Sequence, residues 1–258
     1  MSLRNTLATA DGKRRYVRRL FATIADRYDL MTVVLSYGLD RRWKRRLIDR
    51  AAIGPADRVL DLACGTGDLL VAAAERARSA VGVDITHRML QLARERVNRG
   101  EGAAPHFVVA DMLALPFGAP RFTMVSTGYG LRNVPDLRAA LSEIERVLLP
   151  GGRFVSLDFN RPRHPVVRAA YLAYLTVVGA VLGFILHGDP DTYRYIPESI
   201  RLYPGAEGVK RLMEEAGLVD VQILPVLGGL MAIHTAMKPG AGVPFTRTGH
   251  RDTEPQSC

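Results

Sequence analysis

The sequence predicts a layered α/β fold, and three observations carry that prediction. Strand-like and helix-like stretches alternate along most of the chain. One strand turns through glycines into a helix at 57–70, DRVLDLACGTGDLL. Acidic residues then recur at the ends of successive strand-like runs, at Asp61, Asp84 and Asp111. A largely parallel sheet with its ligand at the carboxyl ends of the strands accounts for all three.

The 57–70 stretch organises the rest. Val59, Leu60 and Leu62 read as a short buried strand, Gly65 and Gly67 follow, and apolar periodicity over 69–77 marks a helix. Such a turn brings backbone close to a ligand and points unsatisfied N–H groups at it. A dinucleotide fingerprint needs a third glycine where Leu70 stands, and no P-loop run is present. Asp61 and Asp68 place negative charge beside the loop, unsuited to pyrophosphate and suited to an ammonium and a sulfonium. Asp84 closes the apolar run 80–83, where a carboxylate can accept both ribose hydroxyls. These features favour S-adenosyl-L-methionine over a nicotinamide dinucleotide; the bland alternative is an αβ turn with incidental acids.

With 258 residues, 48% of them hydrophobic, the chain can bury one sizeable core. Residues 1–20 are basic and polar with no apolar signal region, and Cys64 and Cys258 suggest neither a disulfide framework nor a metal site. A cytoplasmic protein is expected. The net charge of +9 is concentrated at 13–19 and 41–50. Those clusters flank apolar and aromatic residues, which suits an anionic membrane surface at least as well as nucleic acid; solvated helix faces are the plain alternative.

In chain order, residues 1–12 are expected to fray, and 16–28 shows helical spacing of Val17, Leu20, Phe21, Ile24 and Ala25. Asp40 is expected to N-cap a helix over 41–52 that turns Trp43, Leu47 and Ile48 inward and its basic residues outward. This prelude, 1–52, is a candidate lid over a nucleotide-binding core at 53–160; Tyr28, Tyr37 and Trp43 are lid or core aromatics. Thr86 is expected to cap the next helix. A third strand at 107–110 ends in Asp111 and Met112, placed to meet an adenine. A fourth at 122–127 leads into Gly128-Tyr129-Gly130-Leu131-Arg132-Asn133 at the sheet's ligand edge. A helix over 135–149 is stopped by Pro150-Gly151-Gly152 before a fifth strand at 153–158. Residues 169–186, AAYLAYLTVVGAVLGFIL, are uncharged, nearly long enough to span a bilayer, and interrupted by Gly179 and Gly183. A pocket wall or interfacial helix within an apolar insert at 161–205 is favoured over plain core or a true span. A helix at 206–216 and strands at 219–224 and 230–237 complete the sheet within 206–238, before a disordered tail at 239–258.

The blocks VLDLACGTGDLL, GVDIT, ADMLALPF, GYGLRNVPDLRAAL and RVLLPGGRFVSLDFNRP resemble those of the quinone-biosynthesis C-methyltransferases. RYDLMTVVLSYGLDRRW, YGLRNVPD and YRYIPESI carry the more specific likeness, which spans 16–238. The resemblance implies a class I methyltransferase (Rossmann-like) fold: a seven-stranded, mostly parallel sheet with an antiparallel final strand. It implies S-adenosyl-L-methionine as donor and a prenylated quinol as acceptor, demethylmenaquinol foremost, with a ubiquinol-pathway benzoquinol as the alternative. Thr66, Asp84, Asp111 and Met112 correspond to cofactor contacts, beside Asp61, Gly65 and Gly67 of the loop. Arg132, Asn133 and Tyr28 face the acceptor, with Arg132 stabilising a quinolate. Gly128 stands where some members carry a cofactor-contacting serine, Tyr129 replaces the more usual phenylalanine, and Asp111 replaces an asparagine found in some. Peripheral contact with the inner face of an anionic membrane is expected and nucleic acid is not; dimerisation stays open. The competing functions are a methyltransferase acting on RNA, on a lipid or on a small amine, and a non-catalytic membrane-associated binding protein.

Overall fold

A computed structural model describes residues 3–36, 38–99 and 104–240. Among them, seven strands form one sheet: β1 (Arg58–Leu62), β2 (Ser79–Asp84), β3 (His106–Val109), β4 (Phe122–Gly128), β5 (Leu148–Phe159), β6 (Val219–Val226) and β7 (Met231–Met237). Their order is β3-β2-β1-β4-β5-β7-β6. Strands β1 to β5 pair in parallel, and β7 lies antiparallel to both β5 and β6. After β1 the chain builds outward to β3, then returns to lay β4 on the other side of β1. That reversal leaves a crevice at the strand tips, where open α/β sheets hold ligands. Val59 to Leu62 are all buried, because helices cover both faces of the sheet.

The prelude is more helical than its sequence suggests. Leu3–Leu7 forms α1, and α2 (Ala10–Ile24) starts within the segment expected to fray, because the Thr9 hydroxyl accepts the Gly12 N–H at 3.2 Å. A 3-10 turn at Ala25–Arg27 separates it from α3 (Tyr28–Leu35). Asp40 does not cap the next helix. It lies inside α4 (Asp40–Ala51), buried, with its carboxylate turned to Lys44 and Tyr129.

Helix α5 (Asp68–Ala74) follows the glycine loop and α6 (His87–Val97) follows β2. Thr86 occupies the cap position of α6, but its hydroxyl makes no cap bond; its N–H donates to Asp84 instead. Helix α7 (Leu137–Val147) is capped by Asp136, which accepts the Ala139 N–H. Pro150-Gly151-Gly152 does not separate α7 from β5. The strand begins at Leu148 and absorbs the three residues as an irregularity, with Gly151 at φ +75° and pairing resumed at Arg153.

The apolar stretch is one uninterrupted helix, α8 (Pro165–His187), opened by proline and closed by Gly188 at φ +70°. Its glycines are packing notches. A Cβ on Gly183 would lie 2.5 Å from the Asp189 carbonyl, so the returning chain sits against bare backbone. Tyr171, Leu172 and Leu175 turn inward, while Val177, Phe184 and Ile185 are about two-thirds exposed (63%, 66% and 67%). By length and composition α8 could cross a membrane. Helices α9 (Tyr195–Leu202) and α10 (Gly205–Glu215) lead to β6. Tyr37 and residues 241–258 of the expected tail lie outside the described residues.

Candidate active site

The glycine loop leaves β1 through Ala63 and Gly65, at φ +50° and +55°, while Cys64 N–H extends the ladder to the Val83 carbonyl. A Cβ on Gly65 would meet nothing within 4 Å, so this backbone faces open space. Asp61 is 1% exposed. Its Oδ1 accepts the Ser126 hydroxyl at 2.7 Å, and its Oδ2 is buried without a partner. Burial pushes the carboxyl up to about 7, against the lowering pull of Ser126 and Lys44. Asp61, Gly65, Thr66, Gly128, Tyr28 and Lys44 line one small cavity of about 30 Å³.

A second cavity of about 80 Å³ adjoins it and holds Gly65, Asp84, Asp111, Met112, Gly128 and Asn133. Asp84 accepts N–H bonds from Gly65 at 3.0 Å and Thr86 at 2.7 Å, which ties the first two strand tips together. Burial raises its carboxyl above the usual range. Asp111 accepts the Leu113 N–H and pairs with Arg14 of α2 at 3.0 Å. The Thr66 hydroxyl donates to Asp29 of α3. Gly128 has a packing reason to lack a side chain: a Cβ there would stand 2.9 Å from Leu69 Cδ1.

Two expectations change here. Gly67 lines neither cavity; it is the residue at φ +88° that starts α5. Asp68 is no free negative charge, because Lys44 at 2.7 Å and Arg96 both pair with it.

Beyond these cavities lies a larger one of about 530 Å³, walled by α2, α3, α8, α9 and the β4 and β5 tips. Leu20, Ile24, Met31, Leu175 and Ile196 make it apolar, and Tyr28, Arg132, Tyr171 and Tyr195 give it polar points. Arg132 is 6% exposed. Its Nε lies 3.1 Å from Asp158 Oδ1, its NH1 donates to Ser199, and its guanidinium stacks 4.7 Å from the Phe159 ring centroid. The guanidinium therefore enters the cavity wall already neutralised by a buried carboxylate. Asn133 lines the donor-side cavity instead, and both ends of its amide are engaged: Nδ2 donates to the Tyr129 carbonyl and Oδ1 accepts the Tyr195 hydroxyl. These two bonds brace Tyr195 against the loop that follows β4. Tyr28 lines all three cavities, and burial raises its phenol.

Sequence reasoning missed three groups. Lys13 donates to the Arg132 and Val134 carbonyls at 3.0 and 2.6 Å, and burial lowers its ammonium to about 8. Lys44 joins Asp40 to Asp68 at 2.7 Å each; both lysines were hidden among arginines. Asp158 is a further strand-tip acid, at the end of β5, and the rule that found the other three would have found it. Tyr129, expected at the sheet's ligand edge, adopts φ +61° between two glycines and lines all three cavities.

A sheet in this order, with acids at successive tips and a buried carboxylate that keeps one oxygen unpartnered beside a bare glycine loop, defines an S-adenosylmethionine-dependent methyltransferase of class I. The donor's ammonium fits the orphaned Asp61 oxygen, and its ribose fits Asp84. The ubiE/COQ5 methyltransferase family model matches residues 9–238, and the chain belongs to that family. The Ubiquinone/menaquinone biosynthesis C-methyltransferase UbiE of Hahella chejuensis is 39% identical over 230 residues, 88% of this chain and 92% of the relative. The Demethylmenaquinone methyltransferase of Thermus thermophilus is 41% identical over 222 residues, 85% of this chain and 100% of the relative. Among solved structures, a SAM-dependent methyltransferase of Thermotoga maritima shares the fold, with TM-score 0.61 and 18% identity over 86% of this chain and 99% of that one.

Proposed function

We propose that this methyltransferase methylates a ring carbon of a prenylated quinol, demethylmenaquinol foremost. The observation that carries the reading is the 530 Å³ apolar cavity with a few polar points, opening beside the donor-side cavities. The donor supplies an electrophilic methyl when bound, held by Asp61, Thr66, Asp84, Asp111 and Met112. The acceptor must supply electron density, and a quinol carbon does so when its hydroxyl, of pKa ~10, is ionised. Arg132, balanced by Asp158 in the resting site, is placed to share its charge with a developing quinolate. Water is excluded by the apolar walls of α2, α3 and α8, which gives the prelude the role of lid and the insert that of acceptor wall.

The exposed face of α8 fits contact with a bilayer at the inner surface of the cell membrane, from which a prenylated quinol is drawn. Val177, Val181, Phe184 and Ile185 point outward, and Val166 and Val167, also exposed, line the cavity mouth. Burying such side chains contributes ~1.5–3 kcal/mol each. The arginines of α2 and α4 would add attraction to anionic lipid. Labelled donor offered with reduced prenylated naphthoquinols and benzoquinols, RNA and phospholipids tests the reading. Label on a quinol ring carbon, faster with anionic vesicles, is expected; label only on RNA or on a lipid amine would overturn it.

A further inference from the structure

Helix α2 turns two stripes toward the crevice, and they serve different halves of it. Arg14, Val17 and Phe21, at helical spacing, line the donor-side cavity of about 80 Å³. Lys13, Tyr16 and Leu20 form the neighbouring stripe. Leu20 lines the acceptor cavity, and the Tyr16 ring lies 5.5 Å from that of Tyr195 in α9. Lys13 lines none of the three cavities and reaches instead for the loop after β4. Its Nζ donates to the Arg132 carbonyl at 3.0 Å and to the Val134 carbonyl at 2.6 Å. Those carbonyls lie at the end of the 3-10 turn Leu131–Asn133, where the chain becomes extended at Val134 and no further helical turn supplies N–H groups. One flexible ammonium with three donors can hold both. Near the start of a helix that ammonium opposes the helix dipole, so local sequence does not account for it. Burial and the neighbouring Arg132 guanidinium lower it further, to about 8, a cost the chain accepts for these two bonds.

We propose that Lys13 is a positioning residue for the methyl transfer: it clamps the loop after β4 to α2 and so sets the Arg132 guanidinium in the acceptor wall. This rests on the quinol reading above, in which Arg132 meets the developing quinolate. The head of Arg132 is fixed by Asp158 at 3.1 Å and by the Ser199 hydroxyl at 2.8 Å. Its backbone is gripped at both polar atoms, the N–H donating to Asp158 Oδ2 at 3.1 Å and the carbonyl accepting from Lys13. Asn133, between the two clamped carbonyls, ties the same loop to Tyr195. The loop is thus held from β5, from α9 and, through Lys13, from α2. Without the ammonium the carbonyl end is released, and the guanidinium can drift from the place where a quinol oxygen meets it. A shift of ~1 Å is enough to cost a reaction ~100-fold. Because α2 also carries the stripe at 14, 17 and 21, the acceptor loop takes its setting from the helix that walls the donor cavity. Donor site and acceptor site are therefore registered against one rigid element.

The test is a double-mutant cycle on the full chain with a reduced short-chain demethylnaphthoquinol as acceptor. Lys13→Met, which keeps the apolar stem and removes the donors, is made in wild type and in a background carrying Arg132→Met with Asp158→Asn. That background removes the cation without stranding a buried carboxylate. In wild type, Lys13→Met should lower kcat ~10- to 100-fold, the scale of a displaced catalytic group, while donor affinity by calorimetry stays within about threefold. In the background lacking Arg132 the same change should cost less than about threefold, because the group it places is gone. Lys13→Arg, whose guanidinium also donates, should keep kcat within about fivefold of wild type. Equal costs in both backgrounds, or a loss of donor affinity that matches the loss of kcat, would make Lys13 a structural residue and overturn the clamp alone. Wild-type kcat in Lys13→Met would do the same. A wild-type enzyme that leaves the quinol unmethylated would overturn the acceptor reading and the clamp with it.

Discussion

The donor half of the crevice and the acceptor half meet at three aromatic residues, yet they are built on different principles. The donor half consists of strand tips, and its cavities of about 80 and 30 Å³ are edged by carboxylates held by backbone N–H groups. The acceptor half is assembled from helices distant in sequence, around an apolar space of about 530 Å³. In the first, position follows from the local turn of each strand, and charge is left deliberately short of partners at Asp61. In the second, charge is cancelled before a substrate arrives, as at Arg132 with Asp158. A cationic donor needs an uncompensated site to bind; a neutral lipophilic acceptor needs a compensated one that does not repel it.

The largest effect expected from breaking this contrast is at Arg132. Arg132→Ala removes the acceptor-side cation and strands Asp158, buried, so turnover should fall ~100- to 1000-fold and stability by ~3–5 kcal/mol. Donor affinity should move less than about threefold, as read by calorimetry beside single-turnover rates. Equal losses in both would remove Arg132 from the acceptor half.

Next is Asp84→Ala, which acts on the other half. Two charge-assisted bonds to the donor would be lost, weakening its affinity about 100-fold while kcat at saturating donor stays within about threefold. Unchanged affinity in a titration would displace the ribose from β2.

The smallest effect is graded rather than all-or-none. Burial lifts Asp61 from the usual 3.8 up to about 7, so between those values the folded chain holds a proton that the unfolded chain does not. Its contribution to stability is therefore full below 3.8 and is lost as pH rises to 7. A cation against Oδ2 favours the carboxylate and expels that proton. Donor affinity should then rise ~10-fold per pH unit from about 5 to 7 and level off above. Calorimetry in buffers of different ionisation heat should find one proton released near pH 6. A flat profile would separate Asp61 from the donor.

The same contrast explains what could be read beforehand. Asp61, Asp84 and Asp111 were legible because a strand's end and a following glycine or acid are local features, and the sheet then aligns the tips. Gly67 misled because both glycines of one turn look alike in sequence, while only Gly65 faces open space. Asp40 read as a cap because an acid before a basic helix usually is one; besides Lys44 its carboxylate meets Tyr129, which stands 89 residues away. Lys13 and Lys44 vanished into arginine runs, since their acceptors at 132, 134 and 68 exist only once the helices are packed. Gly179 and Gly183 looked like breaks in α8 because the chain that packs on them, around Asp189 and Tyr193, comes later in sequence.

Phe21, Tyr28 and Tyr129 line both the large apolar cavity and the small cavities beside it. Because the two spaces share those rings, on the reading proposed above a single molecule carrying an adenosine head and a naphthol tail could occupy both at once. For such a bisubstrate inhibitor the second half arrives tethered, and the protein itself supplies the gain that a linker designer would otherwise have to seek.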